Sequence, residues 1–87
     1  MEEVEYPING ILDLHQFHPR DLKSLVPEYL ALCREKKIYS VRIVHGKGIG
    51  VQREMVHKIL ERIPWVISYN LSGSWGATIA VLSPEEP

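Results

Sequence analysis

Two short stretches of the chain hold side chains that could do chemistry together. Asp13 and His15 stand two residues apart, and His45 opens the run His45-Gly46-Lys47-Gly48-Ile49-Gly50. A carboxylate next to an imidazole can orient that imidazole for proton transfer, and two histidines can serve one reaction as base and acid. Alternating glycines leading into a helix expose backbone N–H groups at the positive end of its dipole, which suits a phosphate or another anion. Lys47 adds a cation there. Phosphodiester cleavage needs an activated nucleophile, a proton for the leaving oxygen and stabilisation of charge on the phosphoryl group. Gly46, Lys47, Gly48 and Gly50 are the candidates for holding the phosphate. The glycine pattern matches neither a P-loop nor the dinucleotide fingerprint, so it specifies a turn and an anion preference and no particular ligand.

The elements that must position these groups follow from hydrophobic periodicity. Gly10 to His15 is expected as strand one, with Asp13 and His15 on one face because alternate residues of a strand share a face. Helix one starts near Pro19 and carries Leu22, Leu25, Val26, Tyr29, Leu30 and Cys33 at helical spacing. Pro27 predicts a kink there, or a restart capped by Ser24. His18 is read as a cap or surface residue and Cys33 as core. Tyr39 to Val44 is strand two. Ile49 to Ile63 is helix two, with Val51, Met55, Val56, Ile59, Leu60 and Ile63 buried, and with Gln52, Arg53, His57, Lys58 and Glu61 on a solvated face. Trp65 to Leu71 is strand three, Ser72 to Gly76 a glycine-rich loop, and Ala77 to Leu82 strand four, whose unbroken apolar run suits a strand covered by neighbours.

The order β-α-β-α-β-β specifies an α/β domain of two layers. Strands one and two, joined by a helical crossover, must be parallel and end at one edge of the sheet. Asp13, His15, His45 and the glycine turn therefore meet at one rim. Residues 1–9 are expected as an extended arm, 10–82 as the domain and 83–87 as a flexible tail.

Composition sets outer limits. The chain has 87 residues and a net charge of −1, which gives no overall bias toward polyanions. Five glutamates lie in the two ends, however, and between Ile11 and Leu82 ten Lys/Arg face six Asp/Glu, a balance of +4. That mildly basic body is compatible with phosphate binding. The single cysteine excludes an internal disulfide, and no apolar run is long enough for a membrane span. With no apolar leader, cytoplasm is the expected compartment.

Leu12-Asp13-Leu14-His15, His45-Gly46-Lys47-Gly48 and Gly73-Ser74-Trp75-Gly76-Ala77-Thr78 resemble, in order and separation, the three signatures of the Smr (small MutS-related) domain family. The likeness runs from about Gly10 to Leu82. It implies a mixed sheet in the order 1-2-4-3, with strand four antiparallel and both helices on one face. It also implies nucleic-acid endonuclease activity, either DNA nicking or RNA cleavage, with Asp13, His15 and His45 as catalytic residues. The chain shows no ATPase motif and so resembles the stand-alone type. It departs from the family at Gln16, where glycine is common, and at His18-Pro19, where a polar cap is usual.

Arg20, Arg42 and Arg53 are candidate contacts to the nucleic-acid backbone. Trp75 is a candidate for stacking on a base, and Thr78 belongs to the same binding set. The expected partner is RNA or DNA, including in a ribosome-associated form, with the chain a monomer and no membrane involved. Cleavage of RNA through its own 2′-OH requires no cofactor. A hydrolytic route would use a divalent metal, Mg or Mn, with Asp13 as a ligand. Two other readings stay open on the residues alone: a nucleic-acid or ribonucleoprotein binding module that does not cut, and a small-molecule phosphate site.

Overall fold

The computed structural model describes residues 8–46, 50–73 and 76–85. Six principal elements follow one another: β1 (Ile11–Asp13), α1 (Leu22–Glu35), β2 (Ser40–Val44), α2 (Val51–Glu61), β3 (Val66–Ser72) and β4 (Ala77–Leu82). The sheet order is β1-β2-β4-β3. β1 pairs with β2 in parallel, whereas β4 runs antiparallel to both β2 and β3. The two layers and the parallel β1–β2 pair are as expected from the element order, and the mixed sheet is as the family resemblance implies.

The core lies between the helices and one face of the sheet. Leu22, Leu25, Val26, Tyr29, Leu30 and Cys33 of α1 meet Leu12, Val41, Ile43, Ala80 and Leu82 of the strands. Val56, Ile59 and Leu60 of α2, followed by Ile63, complete it. Burial raises the Cys33 thiol above its ordinary value, so it stays protonated and packs as a small apolar residue, as expected. Leu30 has no exposed surface. Leu30→Ala should therefore cost about 2–5 kcal/mol, read as a lower denaturant midpoint at unchanged slope.

Several expectations are corrected. β1 is shorter than Gly10–His15: the chain leaves it after Asp13 and enters a 3₁₀ turn over Leu14–Gln16. Asp13 makes that turn, because its carboxylate accepts from the backbone N–H of His15 at 2.9 Å. Pro27 neither breaks α1 nor restarts it at Ser24. A separate 3₁₀ turn over Pro19–Asp21 precedes a single helix from Leu22, and Pro27 lies inside that helix. The bond it removes is the one to the Lys23 carbonyl, in the exposed first turn where water can replace it. His18 does cap its turn, with Nδ1 accepting from Arg20 N–H at 3.1 Å. The described part of helix two starts at Val51, which is 52% exposed, not buried, and Ile49 lies outside the described residues.

At the chain's far end, Ser83 and Pro84 are held in place. Ser83 N–H donates to the Trp65 carbonyl at 2.9 Å, and Arg34 donates to the carbonyls of Ser83 at 2.8 Å and Pro84 at 3.2 Å. The Arg34 guanidinium also lies 4.6 Å from the Trp65 ring centre, a cation–π contact.

Candidate functional site

Strand parity decides which side chains reach the rim. In β1, Leu12 points into the core, so Ile11 and Asp13 point to the uncovered face of the sheet. The 3₁₀ turn keeps His15 beside Asp13. Asp13 Oδ1 accepts from His15 Nδ1–H at 2.7 Å, and both side chains are more than half exposed. The backbone bond and the side-chain bond from His15 hold the Asp13 carboxyl below its ordinary value, so it stays a carboxylate. With Nδ1 committed to Asp13, His15 presents Nε2. That atom lies 3.1 Å from the position a Cβ would take on Gly46. Gly46 has φ +82°, a conformation that glycine adopts without strain. The first and second motifs thus meet as an oriented imidazole resting on a bare backbone.

The third motif closes the same rim. The backbone N–H groups of His45 and Gly46 both donate to the Gly76 carbonyl, at 3.0 and 2.9 Å. This corrects the expectation that Gly46 N–H holds a phosphate, since it is spent on the neighbouring loop. Lys47, Gly48 and Trp75 lie outside the described residues.

His45 departs furthest from the sequence expectation. In β2, Val41 and Ile43 face the helices, and His45 continues their parity, so it points inward and is only 5% exposed. Its Nδ1 lies 3.0 Å from the Gly46 carbonyl, and its Nε2 lies 2.8 Å from Thr78 Oγ1. Both ring nitrogens are therefore engaged inside the protein. His45 is next to the rim in sequence but on the opposite face of the sheet from Asp13 and His15.

Thr78 is also corrected. It has no exposed surface, so its hydroxyl faces the interior and offers nothing to a nucleic acid. Its second partner is His57, whose Nε2 lies 2.8 Å away. His57 is thus no member of a solvated face. Its ring lies edge-on to His45 with centroids 6.3 Å apart, and it packs against the Tyr69 ring at 4.6 Å. Tyr69 in turn donates its hydroxyl to Glu61.

Burial pushes the His57 imidazole below its ordinary value of 6.5, and the nearby His45 ring and Arg53 guanidinium push the same way against Glu54 and Glu61. The folded protein then binds fewer protons than the unfolded chain just below 6.5. Stability should fall as pH drops through 6.5 and level off below the native value. A denaturation series from pH 7.5 to 5 on the wild type and on His57→Gln checks this, and the variant should show the shallower decline.

The basic candidates are spread out. Gly50 ends the loop with φ +86° and caps α2, its carbonyl accepting from Glu54 N–H at 2.9 Å. The Arg53 guanidinium folds back over Gly50, with Nη2 2.5 Å from the position a Cβ would occupy. Arg53 therefore sits beside the glycine turn. Arg20 is exposed in the 3₁₀ turn before α1. Arg42 lies further down the uncovered sheet face, across from Ile11 and Ile79, and donates to Ser72 Oγ at 3.0 Å. No described helix is long and apolar enough to cross a membrane.

Comparison with known proteins agrees with this fold. The model of the Smr domain matches residues 12–83. "Endonuclease MutS2" of Halothermothrix orenii is 48% identical over 79 residues, covering 86% of this chain and 10% of that protein. "Ribosome rescue factor SmrB" of Erwinia tasmaniensis is 27% identical over 79 residues, covering 86% of this chain and 43% of that protein. The chain thus spans about a tenth of the one and under half of the other. Among solved structures, the Smr domain of Thermus thermophilus MutS2 superposes with a TM-score of 0.78 at 26% identity, covering 85% of this chain and 98% of that one. YdaL, a stand-alone small MutS-related protein from Escherichia coli, shares the fold with a TM-score of 0.78 at 23% identity, covering 90% of this chain and 67% of that one. The three motifs that meet at one rim all fall within the stretch from Leu12 to Ser83, and this chain belongs to the Smr domain family.

Proposed function

We propose that the chain is a nucleic-acid endonuclease module that cleaves RNA without a metal, leaving a 5′-hydroxyl and a cyclic phosphate. The carrying observation is the Asp13–His15 pair: a 2.7 Å bond fixes Nδ1, and Nε2 is presented at an exposed rim beside Gly46. His15 Nε2 takes the proton of the attacking 2′-OH, and Asp13 holds the ring in register and balances the charge it gains. Arg53, folded over Gly50, would meet the phosphate oxygens, and its position beside the glycine turn supports that role. Relatives named as an endonuclease and as a ribosome rescue factor support a nucleic-acid substrate, the second an RNA-rich setting.

Both oxygen-facing roles of Asp13 bear on the metal question. Its Oδ1 already accepts two hydrogen bonds from His15, which favours an orienting role over that of a metal ligand. The burial of His45 changes the division of labour expected from sequence. With its ring nitrogens engaged, His45 supports the rim, and the proton for the leaving oxygen comes from the charged His15 or from water.

The same burial gives specific weight to a second reading, a binding module that does not cut, because it leaves a single described imidazole free at the rim. Incubation with end-labelled structured and single-stranded RNA, and with supercoiled DNA, separates the readings. RNA products with 5′-hydroxyl and cyclic phosphate ends, formed equally in EDTA, support the proposal. Products with 5′-phosphate that vanish in EDTA point to metal-assisted hydrolysis. Retention of RNA with no cleavage points to the binding module.

A further inference from the structure

The three residues His57, Thr78 and His45 form a continuous hydrogen-bonded line from the flank of α2 through the core to the rim, and the donor count along it is constrained. The Gly46 carbonyl can only accept, so the His45 nitrogen 3.0 Å from it, Nδ1, must carry a hydrogen. In an uncharged ring Nε2 then has none and must accept. Its neighbour at 2.8 Å is the Thr78 hydroxyl, which has one hydrogen to give. That hydrogen being used, Thr78 Oγ1 can meet His57 Nε2 at 2.8 Å only as an acceptor, so His57 carries its hydrogen on Nε2.

We infer that His57, by donating to Thr78 and so keeping the Thr78 hydroxyl turned toward His45, is a positioning residue that acts with the Gly46 carbonyl to fix His45 in the Nδ1–H tautomer and so steadies the Gly46 backbone beside which His15 Nε2 lies. Every link is buried or half-buried: Thr78 has no exposed surface and His45 is 5% exposed. Within this interior a hydroxyl or ring nitrogen left without a partner is costly, so the three choices are made together. No side-chain polar atom among the described buried ones lacks a partner.

The far end is held as well. The His57 ring packs on Tyr69, and Tyr69 donates to Glu61 one helical turn after His57. At the near end, His45 grips Gly46 through its carbonyl while Gly76 grips it through its N–H. Gly46 is thereby fixed on both sides directly beneath His15 Nε2. His57 never approaches substrate in this arrangement, because it is on the helix side of the sheet and His15 is on the other.

The tautomer assignment rests on geometry alone, whereas its effect on cleavage rests on the function proposed above. Two readouts keep them apart. The first is the ¹⁵N spectrum of the histidine rings of the intact chain at pH 8, where an uncharged ring is read directly. His45 is expected with Nδ1 protonated and Nε2 bare, and His57 with Nε2 protonated. Finding His45 with its hydrogen on Nε2 would overturn the inference whether or not the protein cuts RNA. The second readout uses Thr78→Val and Thr78→Ser. The valine should release His45 into a mixture of tautomers and lower kcat about tenfold with KM little changed, and the serine should restore both. A folded Thr78→Val protein with the wild-type His45 pattern would also overturn it. If Thr78→Val does not fold, His57→Phe, which removes the donor to Thr78, decides in its place: a mixed His45 pattern supports the inference and the wild-type pattern overturns it.

Discussion

His15→Ala should lower kcat/KM for RNA cleavage by about 100-fold or more while RNA binding persists. His15 is 62% exposed at its side chain, which among the described residues bonds only to Asp13, so its removal creates no buried cavity and the melting temperature should hardly move. A loss of activity with unchanged stability and affinity isolates the chemical role. Asp13→Asn should follow in the same direction with a smaller effect on folding than its exposure to the rim turn first suggests. The amide oxygen can still accept from His15 N–H, but the ring loses its anionic partner. Quantitative filter binding beside single-turnover cleavage reads both variants. If His15→Ala cuts at the wild-type rate, Asp13 and His15 form only a structural turn.

Gly46→Ala carries the second large expected effect. At φ +82° a side chain is strained, at about 1–3 kcal/mol. The added methyl would also stand 3.1 Å from His15 Nε2, tighter than an ordinary van der Waals contact. The imidazole must give by a few tenths of an ångström, and since a misplacement of about 1 Å in a proton-transfer geometry costs about 100-fold, a loss of about tenfold is expected. Gly10→Ala is the useful comparison. It meets a similar penalty at φ +93°, and its methyl would press on Ile38 at the start of β1, away from the rim. Both variants should melt earlier. Gly46→Ala alone should lose activity at temperatures where both are fully folded.

Much of this arrangement could be read from residue order, and the exceptions have physical causes. Alternation of apolar and polar residues locates the strands, and the crossover through α1 forces β1 and β2 to be parallel, so the convergence of Asp13, His15 and His45 on one end is legible. The face of His45 was legible too. Val41 and Ile43 are the apolar partners of its parity, and a histidine continuing that parity belongs to the buried side. Thr78 gives a similar signal, since it shares the inward parity of Ala80 and Leu82, and a hydroxyl among them must have a partner.

His57 is harder. It stands one position after the buried Val56, on the flank defined by Arg53 and Glu61, and only the approach of β3 and β4 makes that flank interior. The end of β1 at Asp13 is local competition: a carboxylate that captures the N–H two residues on ends a strand that hydrophobic pattern would have extended through Leu14. Pro27 shows the reverse, a local penalty outweighed by the buried stripe from Leu22 to Cys33 on either side of it.

The parallel pairing of β1 with β2 bears on when the protein becomes functional. Ile11 meets Arg42 and Asp13 meets Val44 only after the whole of α1 has been bridged, and Ile43 meets Thr78 only after α2 and β3 have been bridged in turn. Such distant closures are slow steps, because chain entropy is lost before the contacts that reward it can form. The β3–β4 hairpin, by contrast, is local. A chain emerging from the ribosome would therefore display its Asp13–His15 turn long before Gly46, Gly76 and Thr78 arrive to support it. Topology alone sets the order of assembly: the rim is complete only when the last strand has entered the middle of the sheet.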